Sequence, residues 1–541
     1  MEQQKSELTA DIVIVGAGTA GCVLAARLSE RADLKVVLLE AGGQDRNPWI
    51  NVPFGMQMLI TNPTLNWMYE SQPIAGANGR RLFEPRGKVI GGTGAINASL
   101  YLRGNPADYD AWQAAGCDGW GYDAVLPYFK RAEHQERGAD AFHGVDGPMW
   151  VSDGPGDALS RVFLNAVQEK GLRENPDFNG AYQDGFGRYQ TSTRQNRRHS
   201  SARAYLDTAR TRNNLQIVTN AHVTGLGFEA GRATSVKLEM DGRERRIVAR
   251  REIIICGGVF NSPQLLELSG IGDAQRLRAL GIDVVSNLPG VGQNLQEHFG
   301  TKLIYRVTAP DVSLNRIGSS YARKAAALAQ YVARRKGTLA WTNTFVGGFA
   351  RSSPEMHAPD IQITVNAWSA KGFSREGMAP HPFDGITFNA YHLQPESRGS
   401  VHAVNADART APEIRLAALD TEYDRAAIRE AIRTVRRIVD SQAFSAIGAT
   451  AIEPAPDATS DDALDAFARD KLVPMLHPVG TCRMGRDDEA VVDPELKVHG
   501  VGGLRVVDSS VMPTVPRGNT NAPTVMIAEK AADMILRDIS R

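Results

Sequence analysis

Asp11-Ile12-Val13-Ile14-Val15 is a continuous, mostly β-branched run that stops at Gly16-Ala17-Gly18-Thr19-Ala20-Gly21. Val23 to Leu28 then reads as a helix, and Val36-Val37-Leu38-Leu39 as a second strand ending in Glu40. Strand, glycine turn, helix and strand together predict a βαβ unit. From Leu215 to Ile255 the pattern shortens to strand-like runs. Among them Val236-Lys237-Leu238-Glu239 and Arg246-Ile247-Val248 flank Asp241-Gly242, a hairpin turn signal. Ile253-Ile254-Ile255-Cys256-Gly257-Gly258 is again a buried strand meeting a glycine turn, a second visit to the first sheet. The stretch 301–470 has another texture: strand-like Ile361 to Val365 and Ile386 to Phe388, then a long helix with Ile428, Ile432, Val435 and Ile438 on one face. This predicts a second domain of sheet covered by helices. No internal repeat or low-complexity linker interrupts the pattern.

Composition narrows the classes. A chain of 541 residues with a 42% hydrophobic share is long enough for two or three domains with substantial cores. Basic and acidic residues balance at 61 each, so no net charge recruits nucleic acid or an anionic surface, and a small-molecule partner is expected. Cys22, Cys117, Cys256 and Cys482 show neither a CxxC pair nor zinc-like spacing with histidine, which predicts reduced, buried thiols and no metal site. Met1 to Ala10 is polar without a signal-peptide core, and no apolar run reaches the ~18 residues of a membrane span. A cytoplasmic location is expected. Tyr321 to Lys336 is a basic, Ala-rich helix candidate; its charge pattern fits a solvated face or lid, with peripheral membrane contact as the other reading.

The glycine turn supplies the first candidate site. Gly16, Gly18 and Gly21 let backbone N–H groups and the positive helix end approach a pyrophosphate, while Glu40 is placed to accept from ribose hydroxyls. Near the other end of the chain His477 can act as a neutral base.

Several further motifs stand in order: Gly87-Lys88-Val89-Ile90-Gly91-Gly92-Thr93-Gly94-Ala95-Ile96-Asn97, Asn261-Ser262-Pro263-Gln264, His477-Pro478-Val479-Gly480-Thr481-Cys482-Arg483-Met484-Gly485, Val507-Asp508-Ser509-Ser510 and Gly518-Asn519-Thr520-Asn521-Ala522-Pro523-Thr524. Over nearly the whole chain these resemble the glucose-methanol-choline (GMC) oxidoreductases, most closely bacterial choline-dehydrogenase-like and long-chain or aromatic alcohol dehydrogenases. The resemblance implies a mixed α/β fold: a Rossmann-like FAD-binding domain, discontinuous in sequence (1–160, 195–300 and 470–541), and a substrate-binding domain of antiparallel sheet covered by helices (161–194 and 301–469). It implies FAD, an alcohol substrate, and oxygen or a quinone as electron acceptor. By family position His477 is the base, and Asn521, where some relatives carry a second histidine, orients the same oxygen. Asn521 also reads as a helix N-cap, with Pro523 in the first turn.

The resemblance places Thr19, Ala20, Ala41, Arg86, Val89 and Ala98 beside the cofactor. Gly91, Gly92 and Thr93 let backbone pass close to the flavin, with Asn97 near its ring. Val223, Cys256, Gly257, Asp508, Asn519, Asn521, Pro523 and Thr524 complete the implied set. Ile96 stands where some relatives link a histidine covalently to the flavin, so FAD is expected to be noncovalent. Thr93-Gly94-Ala95 and Val259 depart from the more usual serines and alanine. Choline-acting relatives carry a glutamate before a Gly-x-Phe; here that position, counted from Phe349, is Phe345. With Trp341 nearby, it predicts a pocket for a primary aromatic or medium-chain aliphatic alcohol. A choline or polyol dehydrogenase, a lyase or decarboxylase on the same scaffold, and a nicotinamide enzyme are the competing readings. His298 and Cys482 read as structural.

Overall fold

The computed structural model describes residues 8–154, 156–318, 320–342 and 344–540; the first seven residues of the polar amino-terminal segment lie outside them. One sheet grows from the βαβ unit. Strand β1 (Leu8–Val15) leads through the glycine turn into helix α1 (Thr19–Leu28) and back to β2 (Val36–Leu39). Beside β2 runs β3 (Leu215–Val218), followed by the meander β4 (His222–Glu229), β5 (Arg232–Met240) and β6 (Arg243–Ile255). The last strand is β7 (Leu504–Val506). The order is β3-β2-β1-β6-β5-β4, with β7 on the free half of β6. Strands β3, β2, β1, β6 and β7 are all mutually parallel, and most of their Val, Ile and Leu side chains are buried, on both faces, as a helix-covered parallel sheet requires, with Ile217 and Val218 of the edge strand β3 partly covered.

The predicted hairpin and the returning strand are one object. Asp241 and Gly242 both adopt left-handed φ (53° and 68°) and join β5 to β6, whose thirteen residues continue from the exposed hairpin into the sheet centre. α1 packs against the last long helix of the chain (Asn521–Ile539), so the two ends of the sequence share one layer.

The second sheet is antiparallel along its main path. Its strands run in the order Thr450–Glu453, Phe299–Arg306, Gly385–His392, Ile361–Asn366, Val346–Ala350 and Gly185–Arg188. α2 (Gly258–Leu268) follows β6, and α3 (Tyr321–Arg334) lies on the outside. α4 (Glu422–Val439) covers the antiparallel sheet through Ile428, Ile432, Val435 and Ile438, all buried, each worth ~1.5–3 kcal/mol relative to exposure. α5 is the Asn521–Ile539 helix already met beside α1. The four cysteines are buried and unpaired, and no described helix is long and apolar enough to cross a membrane.

Candidate active site

A cavity of about 290 Å3 opens where β1, β2 and β6 end, at Val15, Leu39 and Cys256, the crevice at the carboxyl ends of parallel strands where ligands bind in open α/β sheets. The glycine turn builds one wall. A Cβ on Gly16 would stand 2.4 Å from the Cys256 carbonyl, and one on Gly21 1.9 Å from the Gly16 carbonyl, so α1 begins tight against the turn. Gly18, in contrast, has nothing within 4 Å of the Cβ it lacks: that side is open space at the start of α1, as a diphosphate needs. Gly92 closes over it, its missing Cβ falling 2.7 Å from the Gly18 Cα.

Glu40 is buried at the end of β2 and accepts from the Ala17 N–H (2.9 Å) and the Gly42 N–H (2.8 Å). Burial outweighs these donors and raises its carboxyl to about 7. Thr19, Ala20, Ala41, Arg86, Gly92, Thr93, Asn97, Ala98, Val223, Cys256, Gly257, Asp508, Asn519, Asn521 and Thr524 also line the cavity. Gly21, Val89, Gly91 and Pro523 do not; they pack in the layer behind it. Asp508 turns its oxygens to the Gly258 N–H, the Ser262 hydroxyl and the Ser510 N–H, which fixes the turn into α2.

At the far end stands His477, buried, with both ring nitrogens engaged. Nδ1 lies 3.1 Å from Nδ1 of His298, and Nε2 lies 2.7 Å from Nδ2 of Asn519. The proton positions follow from the outermost partner. His298 Nε2 faces the Leu393 carbonyl at 3.0 Å, and a carbonyl only accepts, so that nitrogen carries hydrogen. His298 is held well below the usual imidazole range by burial and then by His477, so it is neutral and its Nδ1 is bare. His477 must therefore donate from Nδ1. Burial, and then the Arg86 guanidinium, hold His477 down to about 3, so it too is neutral and its Nε2 presents a lone pair to Asn519.

The backbone at this point is also fixed. Leu476 has φ 68°, a left-handed conformation costly for a branched side chain. Its carbonyl accepts from Arg86 (3.2 Å), and the next N–H, of His477, is taken by Glu297 (2.7 Å). Glu84 pairs with the same guanidinium at 2.9 Å, and burial raises both carboxyls.

Three expectations need correction. Asn519, not Asn521, meets His477; Asn521 accepts from the Thr19 hydroxyl at 2.8 Å, tying the start of α5 to the start of α1. The N-cap of α5 is Thr520, and Asn521 is already helical. Two residues along a helix start rotate a side chain by about 200°, enough to exchange these roles. His298 is not remote from the site but the second member of its hydrogen-bond chain. Phe345 and Trp341 do not line the cavity. Phe345 fills the space over Gly154, where a Cβ would come within 2.4 Å of its ring, and stands edge-on to Trp341, itself packed near Trp49 and Phe54. The apolar lining of the cavity includes Leu100, Met475, Leu476 and Ile96 instead. Cys482 is buried with its thiol pushed up, unfit as a nucleophile.

An FAD molecule fits these residues. The open side of Gly18 at a helix start, the carboxyl of Glu40 and a buried, unpartnered Asn519 Oδ1 are features that a bound dinucleotide would satisfy.

Residues 10–300 and 395–528 match the amino-terminal and carboxy-terminal family models described as GMC oxidoreductase. The chain is 40% identical over 536 residues to an alcohol dehydrogenase [acceptor] of Pseudomonas putida, covering 98% of this chain and 96% of that one. It is equally 40% identical, over 533 residues and the same shares, to an oxygen-dependent choline dehydrogenase of Sinorhizobium medicae. Among solved structures, a formate oxidase of Aspergillus oryzae, studied for FAD modification, superposes with a TM-score of 0.91 at 26% identity, over 98% of this chain and 99% of that one.

Proposed function

We propose, from the premise that this chain belongs to the GMC oxidoreductase family and is an FAD-dependent enzyme acting on CH–OH donors, that it oxidises a primary alcohol with an apolar body, aromatic or medium-chain aliphatic, to the aldehyde. The observation that carries this reading is the bare Nε2 of His477 facing the amide of Asn519. FAD, when bound, supplies the two-electron acceptor for the hydride that leaves the carbinol carbon.

The chain's own residues manage the proton. An alcohol entering between His477 and Asn519 replaces one hydrogen bond by two: its O–H donates to Nε2, and its oxygen accepts from Nδ2. As the C–H bond breaks, the hydroxyl proton passes to Nε2, and the imidazolium formed is shared through Nδ1–H with His298. Asn519 keeps the oxygen aimed throughout. Leu100, Met475 and Ile96 offer apolar contact to the substrate body, and Ile96 has no nucleophile for a bond to flavin, which supports noncovalent FAD. A quaternary ammonium finds no counter-charge at this end. Among the described residues the carboxylates that line the cavity are Glu40 and Asp508, both already held by backbone N–H groups.

The test is anaerobic reduction of the bound flavin by benzyl alcohol, octanol and choline, followed by reoxidation with air or a quinone. The first two should reduce it with the higher kcat/KM. His477→Ala should slow reduction by ~10²–10⁴ with the yellow cofactor retained, and acid precipitation of the wild type should release that colour into the supernatant. Preferential reduction by choline, or an unimpaired His477→Ala enzyme, would overturn the reading.

A further inference from the structure

Although the chain is neutral overall, no carboxylate occurs between Asp311 and Glu355, while Arg316, Arg323, Lys324, Arg334, Arg335, Lys336 and Arg351 all fall there; Arg316 and Arg351 pair with Asp384 and Asp184, and the other five cluster on and just after α3. α3 lies in the middle of this stretch, and only Ala327 and Tyr331 of it are buried. Tyr331 anchors the helix: its hydroxyl donates toward the carbonyls of Asn196 (3.0 Å) and Asn51 (3.3 Å), and its ring packs with Val52 and Ala340. At 100° per residue the side that begins about 60° from Tyr331 and turns away from it carries Leu328, Tyr321, Val332, Ala325, Ala329 and Ala322, and no charge. Tyr321 is 92%, Val332 74% and Leu328 46% exposed. A surface helix normally does the reverse, burying its apolar stripe and turning its charges outward. Here Lys324 borders the stripe, Arg335 and Lys336 follow at its end, and Arg323 and Arg334 lie across the helix from it, beside Ala327.

Through Tyr331 the helix is also tied to a segment that leads to the cavity wall. Asn51 and Val52 lead directly into the short helix Met56–Leu59, where Met56 and Ile60 line the cavity and Met58, between them, is 55% exposed.

We propose that α3 docks this protein on an anionic lipid surface, with Tyr321, Leu328 and Val332 entering the headgroup layer and Lys324, Arg335 and Lys336 on lipid phosphates. The arrangement excludes two other occupants. Nucleic acid would need the cations, rather than the apolar stripe, on the outermost face. A second copy would bring two sets of the cations beside the stripe, Lys324, Arg335 and Lys336, together. The inference concerns a surface away from His477 and stands apart from the choice of alcohol.

The test is co-sedimentation of the FAD-loaded protein with vesicles of phosphatidylcholine alone or containing a quarter phosphatidylglycerol, at low and high salt. Binding is expected only to the anionic vesicles, and only at low salt. Neutralising three cations together (Lys324→Gln, Arg335→Gln, Lys336→Gln) should weaken it on the order of 100-fold. Leu328→Glu with Val332→Glu should abolish it. All these side chains are exposed, so flavin absorbance should stay at wild-type level. Failure to bind anionic vesicles at low salt would overturn the proposal, as would binding that both variants retain. A dimer in light scattering that Leu328→Glu with Val332→Glu dissociates would assign the face to a second copy instead.

Discussion

At the scale of residues, the reactivity proposed for His477 is set one residue away. A neutral imidazole has one lone pair, and the nitrogen that carries it decides whether the base faces the cavity or the protein interior. The chain from the Leu393 carbonyl through His298 puts it on Nε2. Replacing His298 by Phe should leave the Nδ1–H of His477 without an acceptor, free the tautomer and slow flavin reduction by alcohol ~10- to 100-fold. His298→Gln can accept at one end of its amide and donate to Leu393 from the other, and should recover most of the rate. Stopped-flow reduction of the two variants checks this. Equal loss in both would mean that His298 only fills space. None of this was legible in the sequence. His298 sits 179 residues before its partner, and a histidine in a loop carries no local sign of what it will touch. Asn519 and Asn521 were legible as a pair but not in phase, because the turn that begins α5 decides which amide faces His477.

At the scale of elements, what the sequence conveys best is what is local. The βαβ unit was complete in its pattern, since strand, turn and helix each depend on neighbours a few residues away. Strand β6 was seen as two pieces because its first half is polar and its second apolar: one lies in an exposed hairpin and the other in the sheet centre, and only the fold makes them continuous. The same unit yields a pH prediction. Burial lifts the unliganded Glu40 carboxyl to about 7, whereas ribose hydroxyls need the carboxylate as acceptor. In the proposed reading FAD binding therefore competes with a proton. As pH falls below about 7, the apparent Kd of stripped protein for FAD should rise about tenfold per unit. In Glu40→Gln the Kd should be weaker and flat across the same range. Fluorescence titration between about pH 6 and 8 measures both, and a flat wild-type profile would remove Glu40 from the ribose.

At the scale of the whole molecule, the site exists because the two ends of the chain are held together. Thr19 at the start of α1 and Asn521 at the start of α5 share a hydrogen bond, and about two turns further along α5 Glu529 is fully buried between Arg27 of α1 and Arg131, with the Tyr205 hydroxyl on the same carboxylate. This cluster fixes the sliding of α5 along α1, and α5 begins two residues after Asn519. Glu529→Ala removes the buried carboxylate that the two guanidinium groups share and leaves Arg27 with Glu30 and Arg131 with Asp533; because both arginines are partly exposed, the loss should fall below the ~3–5 kcal/mol of a fully buried pair. Lower thermal stability alone would be unremarkable. The argument requires more: with α5 free to shift, Asn519 moves relative to His477, so alcohol-driven flavin reduction should fall even when added FAD has saturated the site and restored part of the melting temperature by mass action. Normal reduction in the FAD-saturated variant would mean that the cluster stabilises the fold without positioning Asn519. Slow reduction that excess FAD leaves uncorrected would place the control of Asn519 geometry at the junction between the first helix and the last.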